Sequence, residues 1–259
     1  VTLVRTRWDG HVAHVTLNRP DRLNAITAPL LEELVAAAQA LEGRTDCRAV
    51  VLSGEGRGFC AGIDLEALQA GPTSLGLEDR DDNGANLPQR AVLQWRRLPV
   101  PVIAAIHGVA FGGGLQLVLG ADIRLVAPAA RLSIRELQWG LVPDMAGMLL
   151  LPAMTGRDRL AELLFSAREF DGDEAVRLGI CTRSEIDPLD AALALAGQIA
   201  SMSPSAVCAA KRLLDAGAGS DPARVLRRET TEQIALLEGA HHREAVAAGM
   251  AGRMPIFED

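Results

Sequence analysis

The stretch from Pro101 to Asp122, PVIAAIHGVAFGGGLQLVLGAD, limits what this chain can become more than any other. Val102 to Ile106 is a continuous apolar run with the length and β-branched content of a strand covered on both faces. After His107 and Gly108 come Gly112, Gly113 and Gly114, and then apolar Leu115 to Leu119, short enough to be one buried helix. The glycines therefore stand at a helix N-terminus, where backbone N–H groups lack intrahelical acceptors and the macrodipole is positive. Without Cβ atoms they let another molecule approach the backbone closely, which suits an oxyanion. They equally suit a tight strand-to-helix turn packed on a neighbour, and this stretch alone leaves both readings open.

With 259 residues and 49% hydrophobic content the chain can bury a sizeable core. Aromatics are 3% and Tyr is absent, so Leu, Val, Ile and Ala must fill it. A net charge of −7 argues against nucleic acid as the main partner, though isolated basic clusters can still hold a phosphorylated ligand. Cys47, Cys60, Cys181 and Cys208 show neither metal-ligand spacing nor disulfide density and read as reduced thiols. No signal pattern and no apolar run of about 18 residues is visible. The expectation is a cytoplasmic protein with neither a metal nor a membrane partner.

Leu3–Arg7 and His11–Leu17 flank Asp9-Gly10, a hairpin signal in which His11 and His14 read as structural. A polar loop, Asn18 to Ala25, leads to a helix with Thr27 at its N-cap; Leu30, Leu31, Leu34, Val35, Ala38 and Leu41 recur at helical spacing before Gly43. A second buried strand, Ala49 to Leu52, runs into a glycine-rich loop and a short helix after Asp64. Gly54, Gly56 and Gly58 fail the dinucleotide fingerprint, whose third glycine falls at Phe59. Gly71 to Gln89 reads as a mobile loop or lid, with its acids Glu78, Asp79, Asp81 and Asp82 on a solvated face. Ala91–Leu98 reads as a helix, and Ile123–Ala127 and Arg131–Ile134 as strands, a repeated order that predicts an α/β architecture with crossovers. Helices then dominate: Arg157–Ala167, Asp173–Leu178, Leu189–Met202, Ser205–Ala216 and a long amphipathic segment after Asp221-Pro222.

Gly58-Phe59-Cys60-Ala61-Gly62-Ile63-Asp64-Leu65 and His107-Gly108-Val109-Ala110-Phe111-Gly112-Gly113-Gly114, with Asn18-Arg19-Pro20, Asn24-Ala25 and Gly140-Leu141-Val142-Pro143, closely resemble the crotonase superfamily, the enoyl-CoA hydratase/isomerase family. The resemblance implies a spiral of β-β-α units over residues 1–190. It also implies a C-terminal helical region over 191–259 that builds trimers, commonly paired into hexamers. By the same resemblance, Ile63 N–H and Gly113 N–H form an oxyanion hole for the thioester carbonyl of an acyl-CoA. Arg22, Asn24, Ala25, Ala61, Gly62, Asp64 and Gly112 then line the substrate channel. CoA enters as part of the substrate and no further cofactor is implied.

Fold and oxyanion hole do not fix the reaction; the acids and bases do. Hydratases of the family carry glutamates at the positions of Gln116 and Glu136, and here the first is a neutral amide, able to orient a water or thioester but not to move a proton. The dienoyl-CoA isomerase branch has acids matching Glu136 and Asp144, and an acid where this chain has Gln116. The catalytic candidates are therefore Glu136, Asp144 and Gln116, with Trp139 either walling the acyl pocket or belonging to the core. Bland readings stand beside them: Glu136 paired with Arg131 or Arg135, and Asp144 as a turn residue after Pro143. A double-bond shift is favoured; a hydratase using Glu136 alone and a weakly catalytic acyl-CoA-binding protein are the alternatives.

Overall fold

The computed structural model describes residues 2–217 and 221–259. A hairpin of β1 (Val4–Asp9) and β2 (Val12–Leu17) turns at Asp9-Gly10, with Gly10 in the left-handed region at φ 53°. Helix α1 (Ala28–Leu41) buries the six positions its spacing singles out, each large one contributing about 1.5–3 kcal/mol. Thr27 stands at its N-cap, but its side chain makes no capping bond. After β3 (Ala49–Gly54), α2 (Leu65–Gln69) starts where the Asp64 side chain accepts from Glu66 N–H. Helix α3 (Leu87–Arg97) begins a turn before the expected Ala91, because Asn86 and Gln89 close a capping box.

The central stretch gives β4 (Val102–Ile106), fully buried, then β5 (Val109–Phe111) and α4 (Gly113–Val118). Next come β6 (Ile123–Val126), β7 (Arg131–Ser133), a 3-10 turn over Glu136–Trp139, α5 (Gly147–Thr155) and α6 (Arg157–Ser166). The last part holds β8 (Phe170–Asp171), α7 (Gly172–Arg177), β9 (Arg183–Ser184), α8 (Pro188–Ala200), α9 (Pro204–Gly217), α10 (Pro222–Leu237) and α11 (Ala240–Ala251).

Six strands form the main sheet in the order β1-β2-β3-β4-β6-β9, and β5-β7-β8 form a second. Strand pairs β4 then β5, and β6 then β7, thus send their first member to the large sheet and their second to the small one. This is the β-β-α spiral the resemblance implies. At the centre of the large sheet both faces are covered, which explains the unbroken apolar runs of β3 and β4, while the edge strand β1 is mostly exposed. Val50, Val102, Ala104 and Ile106 face the core of α1, α3 and α4, while Ala49, Val51, Ile103 and Ala105 face Ala192, Ala196 and Ala200 of α8. The expected boundary between residues 190 and 191 therefore cuts through a helix that packs as part of the core.

Beyond α8 the packing thins. Helix α10 has no buried residue, and Leu226, Ile234 and Leu237 on it are exposed. Lys211 on α9 ties this region back, donating to Val100 O at 2.9 Å and to Asp122 Oδ2 at 2.7 Å. Among the described residues no single helix is long and apolar enough to cross a membrane.

Candidate active site

The two glycine-bearing segments meet. Cys60 N donates to Val109 O at 3.0 Å and Phe111 N donates to Cys60 O at 3.0 Å, lacing the loop after β3 onto β5. A Cβ on Gly114 would land on the Cys60 carbonyl, and one on Gly62 would lie 2.7 Å from Phe111 O, so the contact is possible only for glycine. Gly112, at φ 50°, turns the chain from β5 into α4.

Two residues at this crossing border one cavity, and their N–H groups donate no hydrogen bond among the described residues. Ile26 N donates to Gly62 O and Asp64 N to Ile26 O, at 2.8 and 2.9 Å, so the parallel bridge uses the residues on either side of Ile63 and leaves Ile63 N–H unused. Gly113 is the first residue of α4 and its N–H has no intrahelical acceptor. Both residues line a cavity of about 580 Å³, large enough for the reactive end of a thioester and its chain. Two fixed donors of this kind stabilise a developing oxyanion.

Glu136, Asp144 and Gln116 line the same cavity. Glu136 is 8% exposed, and it is not the ion-pair partner of its neighbouring arginines. Arg131 and Arg135 both bond Glu169, at 2.6 to 2.9 Å, and Arg135 lies 3.7 Å over the Phe111 ring. Burial pushes the Glu136 carboxyl above its ordinary value, Asp144 adds to the rise, and Gln116 and Arg135 partly oppose it. Its Oε1 accepts from Gln116 Nε2 at 2.6 Å; its Oε2 is buried with no partner. Asp144 is exposed as a residue, yet the protein packed around its carboxyl raises its pKa too.

The remaining candidates separate. Arg22, Ala25, Ala61, Gly62, Asp64 and Gly112 all border the cavity. Asp64 does so with its oxygens engaged, by Arg19 at 2.6 Å and by Glu66 N–H at 3.0 Å. Trp139 is 54% exposed and lines the cavity, so it is pocket wall and not core. Asn24 is a correction: it does not border the cavity. Fully buried, it donates to the carbonyls of Glu55, Gly58 and Phe59 at 3.0 Å and accepts from Arg19 N–H, pinning the loop behind the donors. Gln116 is not free to hold a water through its oxygen, which accepts from Met145 N and Gly147 N at 2.9 and 3.0 Å.

Sequence reasoning missed Phe111, Met145, Leu141 and Val142 as lining residues. The signal for Leu141 and Val142 was their place between Trp139 and Asp144. The expected lid is anchored: Leu75 and Leu77 turn onto the cavity, and Asp81 folds back on Asn83 N–H and Ala85 N–H.

The chain matches the family description enoyl-CoA hydratase/isomerase over residues 7–259. It is 33% identical to the Delta(3,5)-Delta(2,4)-dienoyl-CoA isomerase, peroxisomal, of Arabidopsis thaliana, over 98% of this chain and 95% of that protein. It is 39% identical to the mitochondrial dienoyl-CoA isomerase of Homo sapiens, over 80% of this chain and 66% of that one. A crystal structure from Thermobifida fusca YX, named as a candidate enoyl-CoA hydratase and solved in complex with CoA, superposes with a TM-score of 0.80 at 37% identity, covering 91% of this chain and 93% of that one. The names of these two relatives overturn the expectation of a cytoplasmic location, since one is a peroxisomal and the other a mitochondrial protein, while a relative from Bacillus subtilis is also 33% identical. With a family match over residues 7–259 and relatives aligned nearly end to end, this chain belongs to the enoyl-CoA hydratase/isomerase family of the crotonase superfamily.

Proposed function

We propose that the chain shifts double bonds of an enoyl- or dienoyl-CoA through an enolate held by Ile63 N–H and Gly113 N–H. One observation carries this reading: two carboxyls with raised pKa values, Glu136 and Asp144, face the cavity while the third position is a neutral amide already bonded on both sides. Hydration by two glutamates has lost one of them here, whereas a proton shift needs only one group that takes a proton and one that gives it back.

In this reading the C–H bond next to the thioester carbonyl breaks, its proton goes to Glu136 Oε2 and its electron pair moves into the conjugated enolate. Asp144, or Glu136 itself, returns a proton at the far carbon of the conjugated system, so no electrons leave and no redox partner is consumed. Raised pKa values help both halves, since such a carboxyl holds a captured proton long enough to deliver it. In the same reading Arg22, exposed at the cavity edge, meets a CoA phosphate. The apolar side chains left exposed on α10 and α11 fit an assembly of three copies, or two such trimers.

Ultraviolet absorbance tests the proposal, with a 2-enoyl-CoA, a 3-enoyl-CoA and a 3,5-dienoyl-CoA added separately. A rise with the 3-enoyl ester, or a chromophore shift with the dienoyl ester, lost in Glu136→Gln or Asp144→Asn, is the expected result. Loss of the 2-enoyl chromophore with recovery of 3-hydroxyacyl-CoA would make the chain a hydratase using Glu136 alone. Tight ester binding with no change in any spectrum would make it an acyl-CoA-binding protein.

A further inference from the structure

We infer that Gln116 is a positioning residue with two holds from a single amide: its N–H fixes Glu136, and its oxygen fixes the turn that directly follows Asp144. The inference rests on the reading of Glu136 and Asp144 as the groups that move the proton.

Three hydrogen bonds define the arrangement. Nε2 donates to Glu136 Oε1 at 2.6 Å, and Oε1 accepts from Met145 N and Gly147 N at 2.9 and 3.0 Å. The first bond selects an oxygen: with Oε1 engaged, the unpartnered Oε2 is the Glu136 atom left with its full basicity. The other two bonds bracket Ala146, which sits in the left-handed region at φ 62°, a conformation that costs a non-glycine residue energy. Gln116 thus clamps a strained turn that begins one residue after Asp144. Gly147 completes the clamp, because a Cβ there would lie 2.5 Å from Gln116 Oε1.

A neutral amide offers this set of groups at every pH, a donor on one side and an acceptor with two lone pairs on the other. A carboxylate could still accept from Met145 and Gly147, but facing Glu136 it would have to repel the charge or share a proton. The charged groups acting on Glu136 are Asp144, from the following loop, and Arg135, beside it at the start of the 3-10 turn. Gln116, from α4, is neutral. Gln116→Glu therefore keeps the clamp on the turn and alters only the group facing Glu136, whereas Gln116→Met removes all three bonds at similar volume.

The test needs no turnover to be read. Carboxyl carbons of 13C-glutamate-labelled protein are titrated by NMR in the wild type, Gln116→Glu and Gln116→Met, and the Glu136 signal is identified by its loss when Glu136→Gln is added to each. The Glu136 midpoint is expected to rise by about one unit or more in Gln116→Glu, and to rise in Gln116→Met as the bond to the charged form is lost. With the ester that the wild type converts best, kcat should fall about tenfold or more in Gln116→Met while KM stays within about threefold. Midpoints equal to wild type in both variants would overturn the inference and leave Gln116 a packing residue, whatever the melting temperatures do. Shifted midpoints in a protein that converts no enoyl ester would leave the positioning role standing and remove the proposed reaction.

Discussion

Two buried amides hold the two sides of the cavity, and they work on different material. Asn24 pins the floor, a loop whose carbonyls it gathers so that the Ile63 and Gly113 N–H groups stand where glycine segments cross. Gln116 pins the wall, where it fixes a carboxyl and a strained turn. The floor is backbone geometry and is indifferent to most side chains, so one scaffold can hold many thioesters. The wall is side-chain identity, so in the proposed reaction a change of one residue there should change the chemistry. This division explains why a chain can be assigned to its family from the floor while its chemistry is read from the wall.

The largest effect is expected at the floor. Gly114→Ala drives a Cβ into the Cys60 carbonyl, and it should cost more than about 3 kcal/mol in urea unfolding or prevent folding altogether. A variant that folds at the wild-type urea midpoint would show that the crossing is loose. Asn24→Ala leaves three carbonyls without their shared donor and should lower stability by roughly 1–3 kcal/mol, with a raised KM for every ester, since the floor loses its support. If only kcat moved, Asn24 would belong with the wall.

At the wall the expected effect is a pH dependence. The folded chain raises the pKa of Glu136, so it holds that proton more tightly than the unfolded chain does. The stability this contributes is complete below the unfolded carboxylate value and is lost as pH climbs through the raised one. Glu136→Gln carries no proton to lose. It should therefore melt at a higher temperature than wild type above that window and converge with it toward about pH 4. Equal melting temperatures at every pH would mean that Glu136 is not held against its charge. The smallest effect should be Ile63→Val, which keeps the backbone donor and should change kcat/KM by less than about fivefold.

Much of the floor was legible because its cause is local. Successive glycines after a buried strand dictate a helix start, and the α1 spacing lists the six positions that are buried. The short strands β5, β8 and β9 were not, since two or three residues carry no period. Asn24 was misplaced because a residue beside channel-lining Ala25 can turn its side chain inward, here with φ at 55°. The bonds of Gln116 to Met145 and Gly147 were hidden for a different reason: the partners are backbone groups 29 and 31 residues away, and nothing in their side chains announces them.

Whether Glu136 moves a double bond is read most directly from the mass of the product. A 3,5-dienoyl-CoA and a 3-enoyl-CoA are each incubated with wild type and with Glu136→Gln, and the recovered esters are weighed by mass spectrometry alongside their spectra. A double bond moved by Glu136 gives a product of unchanged mass and new conjugation, with the rate reduced about a hundredfold or more in Glu136→Gln. A product heavier by one water, or conversion that survives Glu136→Gln, would contradict it.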